Sequence, residues 1–269
     1  MSRFTREVGY TLVELMIVVA IVGVVAAAIF GVYQVSTQVY TRSASLEDAQ
    51  LGARAGLERM VTELRLIGAF WTGATGAGTA ITAATATSIT FMADVTGDTV
   101  TGGAETTTTA AIASGSTTVA VSENATQAAY SFDVYQTAAL NDYLYLANGA
   151  TREVRQISGV SGTTLTLATA LTNSYPAPAG SNVIVRSVEK VTYNFDAVAR
   201  SLTRSVGGSG ANTIVDNVTG LTLTYFDANG NLLNPVTLSL IREIQVSLTT
   251  KGSDGSRRTM VSRVRPRNL

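Results

Sequence analysis

The sequence predicts an α+β fold in which one long N-terminal helix packs on an antiparallel β-sheet. Apolar residues recur at helical spacing as far as about residue 67, and no proline occurs before Pro176. Beyond residue 88, short runs alternate apolar and polar side chains with a period of two, as half-buried strands do. Such strands need a second layer to cover their apolar face, and the apolar stripe of the helix supplies it.

The N-terminal segment predicts a membrane-spanning helix. Between Glu7 and Arg42 the chain carries one charged residue, Glu14. Residues 10–34 are apolar over the length of about 20 residues that spans a bilayer core. Arg3 and Arg6 precede this run, which favours an N-terminus in the cytoplasm. We therefore expect a single-pass membrane protein whose body lies outside the cytoplasm.

An ordinary secretory signal peptide is the alternative interpretation, because the alanines at 26–28 offer a small-residue cleavage site. Glu14 argues against it. A carboxylate inside an apolar helix is costly in lipid, and a discarded signal has no use for one. A helix that assembles with others can use the same carboxylate as a pairing site.

Residues 9–23 read GYTLVELMIVVAIVG, which resembles the class III signal of type IV pilins and type II secretion pseudopilins. In that family a prepilin peptidase cuts after the glycine and methylates the new N-terminus. The resemblance implies a leader at 1–9, cleavage between Gly9 and Tyr10, N-methylation of Tyr10 and an assembly role for Glu14. Tyr10 departs from the family's usual phenylalanine. The implied fold is the pilin fold.

Cleavage after Gly9 would create an α-ammonium four residues before Glu14, on the same face of a helix. The Glu14 carboxylate could then pair with its own amine or with that of an adjacent subunit. In a medium of low dielectric constant, the second pairing would set the register between helices. A glutamate that only reaches towards the lipid headgroups is the alternative.

The helix is predicted to continue as an amphipathic segment at 35–68, with Arg54–Glu58 and Arg59–Glu63 as exposed pairs four residues apart. Gly68 and a glycine- and threonine-rich stretch end it. A β-rich domain at 69–269 follows. Its predicted strands are 89–92, 117–121, 143–147, 153–157, 163–168, 182–195, 202–205, 221–226, 241–249 and 259–264.

Three later segments are similar to PilW-type minor pilins and pseudopilin J: residues 188–204, residues 214–227 and residues 265–269. A β-rich insertion at about 130–187 fits the same subfamily. This resemblance implies a subunit of the tip or priming complex of a type IV pilus, serving assembly, motility and adhesion. Its implied partners are other major and minor pilins and prepilin peptidase. A minor pseudopilin of a type II secretion system is the alternative.

Two acidic loops are candidate calcium sites. Residues 227–231 are rich in oxygen ligands, but glycine is fourth in this loop and Leu238 is twelfth, whereas an EF-hand needs glycine sixth and glutamate twelfth. Asn229-Gly230 between two β runs favours a hairpin turn instead. Asp94 and Asp98 flank another predicted turn. We therefore expect no metal and no cofactor.

Two further surfaces leave a binding role open, as a tip adhesin or a DNA-uptake receptor. The threonine- and alanine-rich tract at 72–127 is either an exposed adhesive or glycosylated loop or a weakly hydrophobic insert of loops and strands. Five arginines near the C-terminus could contact DNA, although arginines on an edge strand also prevent aggregation; they are Arg257, Arg258, Arg263, Arg265 and Arg267. We expect no nucleic-acid partner.

No enzymatic activity is predicted. The chain has no cysteine and no histidine, which removes thiolate nucleophiles, histidine bases and histidine-ligated metals. It also lacks a nucleophile elbow and a P-loop.

Overall fold

The computed structural model describes residues 11–95, 108–121, 143–176, 183–207, 210–252 and 255–269. Contacts divide the chain into two compact units. The first comprises Met1–Asp48 with Gly252–Ser256, and the second comprises Ala49–Lys251 with Arg257–Leu269. The predicted leader at 1–9 and part of the predicted insertion lie outside the described residues.

Helix α1 extends over Leu12–Arg65, 54 residues in all. Its segment Leu12–Ala44 is long and apolar enough to cross a membrane. This agrees with the prediction of one helix from about residue 10 to residue 67. The helix begins two residues later than predicted and ends two residues earlier. The predicted pairs on its second half are present: Arg54 Nε lies 2.8 Å from Glu58 Oε1, and Arg59 Nε lies 3.1 Å from Glu63 Oε1. The prediction that both pairs are exposed is wrong for Glu63, which is buried because the helix packs its side chain against the sheet.

The helix ends through a tightened turn. Leu66 donates its backbone N–H to the carbonyl of Glu63, three residues back. Gly68 then adopts a φ of +80°, a backbone conformation that residues with a Cβ rarely adopt. Its backbone N–H donates to the carbonyl of Met92 at 2.9 Å. The predicted stop signal at Gly68 is therefore the residue that turns the chain from the helix towards the sheet.

Twelve described strands follow, and every pairing between them is antiparallel. A nine-stranded sheet has the order β1-β2-β7-β4-β5-β6-β3, with β8 paired to β7 and β9 paired to β8. A three-stranded sheet has the order β10-β11-β12. The strands are β1 (Ile81–Ala84), β2 (Ser88–Ala93), β3 (Thr118–Ala120), β4 (Tyr143–Asn148), β5 (Thr151–Ser161), β6 (Thr164–Leu167), β7 (Ile184–Asp196), β8 (Ser201–Val206), β9 (Asn212–Val215), β10 (Val218–Phe226), β11 (Glu243–Lys251) and β12 (Arg257–Val264), with a short 3-10 helix at Leu238–Leu240.

The α+β prediction is confirmed, and each of the ten predicted strands corresponds to one of these strands. Two strands, β1 and β9, were not predicted. Neither segment alternates apolar and polar residues: β1 reads ITAA and β9 reads NTIV, so a search for a period of two does not find them. The tract at 72–127 thus contributes β1, β2 and β3 among its described residues.

The main core lies between the second half of α1 and both sheets. The predicted stripe of the helix is buried there, with Met60, Leu64 and Ile67 fully inaccessible to solvent. On β11, Ile244, Val246 and Leu248 alternate with polar residues and are likewise buried. Gly56 lets the helix approach β9, since a Cβ at this position would stand 2.1 Å from Cγ2 of Val215.

A second core lies on the other side of β4, which is buried on both faces. Tyr145 and Ala147 point into the main core, whereas Leu144 and Leu146 point into the second. This second core is built mainly from β3, β5 and β6 and the loop that follows β6.

Glu153 fixes that loop from within the second core. Its side chain is fully buried and pairs with Arg155 at 2.5 Å. It also accepts backbone N–H bonds from Thr172 at 2.6 Å and Asn173 at 3.0 Å, and the hydroxyl of Tyr175 at 3.3 Å. A buried carboxylate is stable only with such a set of donors, so Glu153 helps to hold the chain that follows β6 in place.

Three buried phenols should make the fold sensitive to alkaline pH. Burial raises the pKa of Tyr175, Tyr193 and Tyr225 above the ordinary value; for Tyr175 and Tyr193 a neighbouring glutamate adds to the effect. Because the folded-state pKa is the higher one, the unfolded chain releases protons first as pH rises. We expect full stability below about pH 10 and a progressive loss above it.

Urea unfolding at several pH values tests this expectation. The chain's single tryptophan, Trp71, is buried in the main core and reports unfolding by fluorescence. Tyr225→Phe removes one of the titrating phenols, so its unfolding midpoint should fall less steeply above pH 10 than that of the unmodified chain. An unchanged midpoint up to pH 11 would contradict the assigned cause.

Candidate processing and assembly site

The described part of the predicted processing site begins at Thr11, so Gly9 and Tyr10 lie outside it. Thr11 precedes the first helical residue, and its backbone N–H donates to Glu14 Oε2 at 3.0 Å. The Thr11 hydroxyl donates to the same oxygen at 3.0 Å. In return, the backbone N–H of Glu14 donates to Thr11 Oγ1 at 3.3 Å.

These reciprocal bonds form a capping box at the start of α1. In this motif a threonine N-cap and a glutamate three residues later satisfy each other's unpaired backbone N–H groups. It explains why the helix begins at Leu12, since the threonine side chain replaces the missing helical acceptor. The sequence interpretation overlooked Thr11, although the spacing of threonine and glutamate ahead of an apolar run is itself a signal for this box.

The capping box also orients the one carboxylate of the apolar segment. Both bonds from Thr11 reach the same oxygen, Oε2, which holds the Glu14 side chain back towards the N-terminus of the helix. The free N–H groups at that end carry partial positive charge, which favours a carboxylate. Glu14 therefore faces the end of the helix where a processed chain would begin.

The sequence model of one protein family, described as the prokaryotic N-terminal methylation motif, matches residues 9–30. No curated protein matches the chain. No solved structure matches it either. The chain thus carries a type IV pilin-like signal, which begins at Gly9 and runs into α1. The α+β architecture behind that signal is consistent with the pilin fold, and the apolar helix indicates membrane anchoring.

The candidate calcium loop is a hairpin turn in the structure. Phe226 pairs antiparallel with Leu232 across it. Asp227 Oδ1 accepts the backbone N–H groups of Asn229 at 2.9 Å and Asn231 at 2.8 Å. Hydrogen bonds from Asn231, the largest cause, hold the pKa of Asp227 below its ordinary value. The carboxylate thus serves the turn, as the sequence alternative predicted.

The other acidic candidate does not form a described cluster. Asp94 lies 3.4 Å from the guanidinium of Arg186, and Asp98 is outside the described residues. Within the part of the chain that the structure describes, no group of three or more acidic side chains is placed to hold a metal ion.

The C-terminal arginines do not share one surface role. Arg263 and Arg265 pair with Glu243 of β11 at 3.0 Å and 2.7 Å, and the Arg263 guanidinium lies 4.6 Å from the ring centre of Phe226. Strand β12, which carries Arg257 and Arg258, is an edge strand of the smaller sheet. This position suits the protective role of arginines on a strand edge.

Proposed function

We propose that this chain is a minor pilin or pseudopilin. Prepilin peptidase would cleave it after Gly9 and methylate Tyr10, and the mature chain would join the tip or priming complex of a type IV pilus. The observation that carries the proposal is the methylation motif at 9–30, which continues directly into the long helix of an α+β domain. Assembly, motility and adhesion are the activities expected of such a complex.

We propose an organisation in four parts that is in line with such a role. Residues 1–9 are a cytoplasmic leader, 10–34 a membrane-spanning helix, 35–68 its amphipathic continuation and 69–269 an exported β-rich domain with an insertion at about 130–187. The chain would reside in the inner membrane with its N-terminus in the cytoplasm before it enters a filament in the periplasm or at the cell surface. Families with this motif supply structural subunits, so we propose no enzymatic role.

Glu14 is the proposed assembly residue. A new α-ammonium at Tyr10 would lie one residue before the N-cap, and the capping box already turns the Glu14 carboxylate towards that end of the helix. In an inserted helix, the carboxylate of an incoming subunit could pair with the ammonium of its neighbour. Oppositely charged groups attract strongly where water is excluded, so this pairing would fix the axial register of the helices.

A minor pseudopilin of a type II secretion system is the alternative assignment, since the same motif serves both machines. The genes beside this one provide a direct test. Pilus components alongside it support the pilus assignment, whereas secretion components support the alternative.

Mass spectrometry of the protein purified from its native membrane tests the processing step. We expect an N-terminal peptide that begins at Tyr10 and carries one added methyl group. Gly9→Leu should leave the full-length chain uncleaved, because the peptidase would no longer find its glycine. A mature N-terminus at Ala28 or later would overturn the proposal in favour of an ordinary signal peptide.

A further inference from the structure

A groove of about 1010 Å³ opens at the C-terminal end of α1. Four separate parts of the second unit form it: the end of the helix, the hairpin between β4 and β5, the start of β7 and the C-terminal residues. Its floor includes the buried side chains of Tyr145 and Ala147. Its volume lies at the upper end of the range for ligand-binding clefts.

Three arginines, Arg65, Arg152 and Arg267, line this groove, and all three are exposed. None of them forms an ion pair with any residue that the structure describes, and no carboxylate is among the described lining residues. Other arginines of the same unit, such as Arg204 and Arg265, have a glutamate partner at 2.8 Å and 2.7 Å.

The helix terminus explains only part of this cluster. Arg65 lies in the last turn of α1, where a cation interacts favourably with the free carbonyl groups. Arg152 comes from the β4–β5 hairpin and Arg267 from the C-terminal residues, so their presence needs another reason. Cations that share one groove repel each other, and a bound anion would remove that cost.

Phe70, an aromatic residue that lines the groove, has a strained backbone conformation. Phe70 has a φ of +54°, which is rare for a bulky residue, yet the residue is 37% exposed. Its ring makes an edge contact with Tyr145 at 5.3 Å and lies under the Arg186 guanidinium at 4.5 Å. Strain of this kind persists where the surroundings fix it and is common at ligand sites.

We propose that this groove binds an acidic peptide segment of a partner protein. The guanidinium groups of Arg152 and Arg267 would each engage a carboxylate in the paired geometry that arginine favours, with Arg65 adding charge. The side-chain amides of Asn148 and Asn268 also line the groove and can bond the peptide backbone. The proposal holds whether or not the chain enters a filament.

Nucleic acid fits the groove less well. Proteins that bind single strands combine cations with open aromatic faces on which bases stack. Arg186 covers one face of Phe70, the exposed ring of this groove, and Tyr145 packs against the same ring in a T-shaped arrangement. A nucleic-acid strand would therefore find at most one face of one ring for stacking, whereas a peptide carboxylate needs only the guanidinium groups.

Fluorescence anisotropy on the full-length chain in a neutral detergent tests the proposal. The probe is a labelled peptide of alternating Asp and Glu, and its counterpart of alternating Asn and Gln serves as the uncharged control. We expect binding of the acidic peptide alone, weakened by salt. The double variant Arg152→Gln/Arg267→Gln should bind it about tenfold more weakly or worse.

A matched variant separates the groove from general charge. Arg257→Gln/Arg258→Gln removes the same charge from β12, outside the groove, and should bind the acidic peptide as tightly as the unmodified chain. Equal weakening in both double variants would overturn the proposal, because bulk charge would then explain the binding. The proposal would also be overturned by a single-stranded oligonucleotide that displaces the peptide and binds more tightly. Self-association of the chain that is lost only in Arg152→Gln/Arg267→Gln would overturn it as well.

Discussion

Glu14→Gln is expected to lower filament assembly by about tenfold or more while cleavage after Gly9 continues. Glutamine keeps the side-chain oxygen that accepts the Thr11 N–H, so the capping box survives. It loses the negative charge, and with it the attraction to an α-ammonium in a medium of low dielectric constant. Glu14→Ala should impair assembly at least as strongly, because it removes the charge and the capping bond together. Assembly is measured as pilus or pseudopilus yield in sheared fractions.

Thr11→Val separates the cap from the charge. Valine resembles threonine in shape but has no hydroxyl, so this variant weakens the start of α1 by about 1 kcal/mol and leaves the Glu14 carboxylate in place. We expect it to assemble nearly as well as the unmodified chain. Normal assembly of Glu14→Gln together with failure of Thr11→Val would show that Glu14 matters for helix capping and that charge pairing does not.

Glu63→Ala is expected to destabilise the folded domain by about 3–5 kcal/mol. The Glu63 carboxylate is almost fully buried, and its Oε2 accepts the Tyr193 hydroxyl at 2.8 Å and Arg204 Nε at 2.8 Å. Truncation would leave the guanidinium and the phenol without this acceptor inside the core, where an unpaired charge costs most. Urea unfolding followed through Trp71 fluorescence measures the loss.

Glu58→Ala is the matched control for that experiment. Glu58 lies on the same helix and pairs with Arg54, but both side chains are largely exposed, so water replaces the lost contact and the unfolding midpoint should hardly change. Glu63→Gln should fall between the two, since it keeps an acceptor for Tyr193 and loses the charge opposite Arg204. Equal midpoints for Glu63→Ala and Glu58→Ala would show that the buried contacts contribute nothing.

The two glutamates give α1 two distinct tasks. Glu14 belongs to the apolar segment and serves the proposed contacts with other chains, whereas Glu63 ties the last turns of the helix to β7 and β8 of its own domain. Damage to one should leave the other intact: Glu14 variants should unfold like the unmodified chain, and Glu63 variants should be cleaved normally. These paired readouts keep a folding defect from being mistaken for an assembly defect.

The sequence by itself determined the features that depend on near neighbours along the chain. The apolar run and the motif at Gly9 predicted the helix and the processing signal, because spanning length and peptidase recognition are properties of one continuous segment. Alternation predicted ten strands, and Ile244 with Val246 shows why: side chains two apart share one face of a strand. The capping box of Thr11 and Glu14 is also a local feature, and the spacing of these two residues in the sequence is sufficient to predict it.

The tertiary structure decided whatever joins distant segments. Tyr193 and Arg204 meet Glu63 across 130 and 141 residues of sequence, and the sequence showed only an exposed helical pair with Arg59. The short strands β1 and β9 exist because longer neighbours offer them backbone partners. Likewise, Arg65, Arg152 and Arg267 line one groove only after the helix end, the β4–β5 hairpin, the start of β7 and the C-terminal residues have come together. Periodicity predicts on which face of a strand or helix a side chain lies. It does not predict which distant residue that side chain contacts, because such contacts depend on the order of the strands in the sheet.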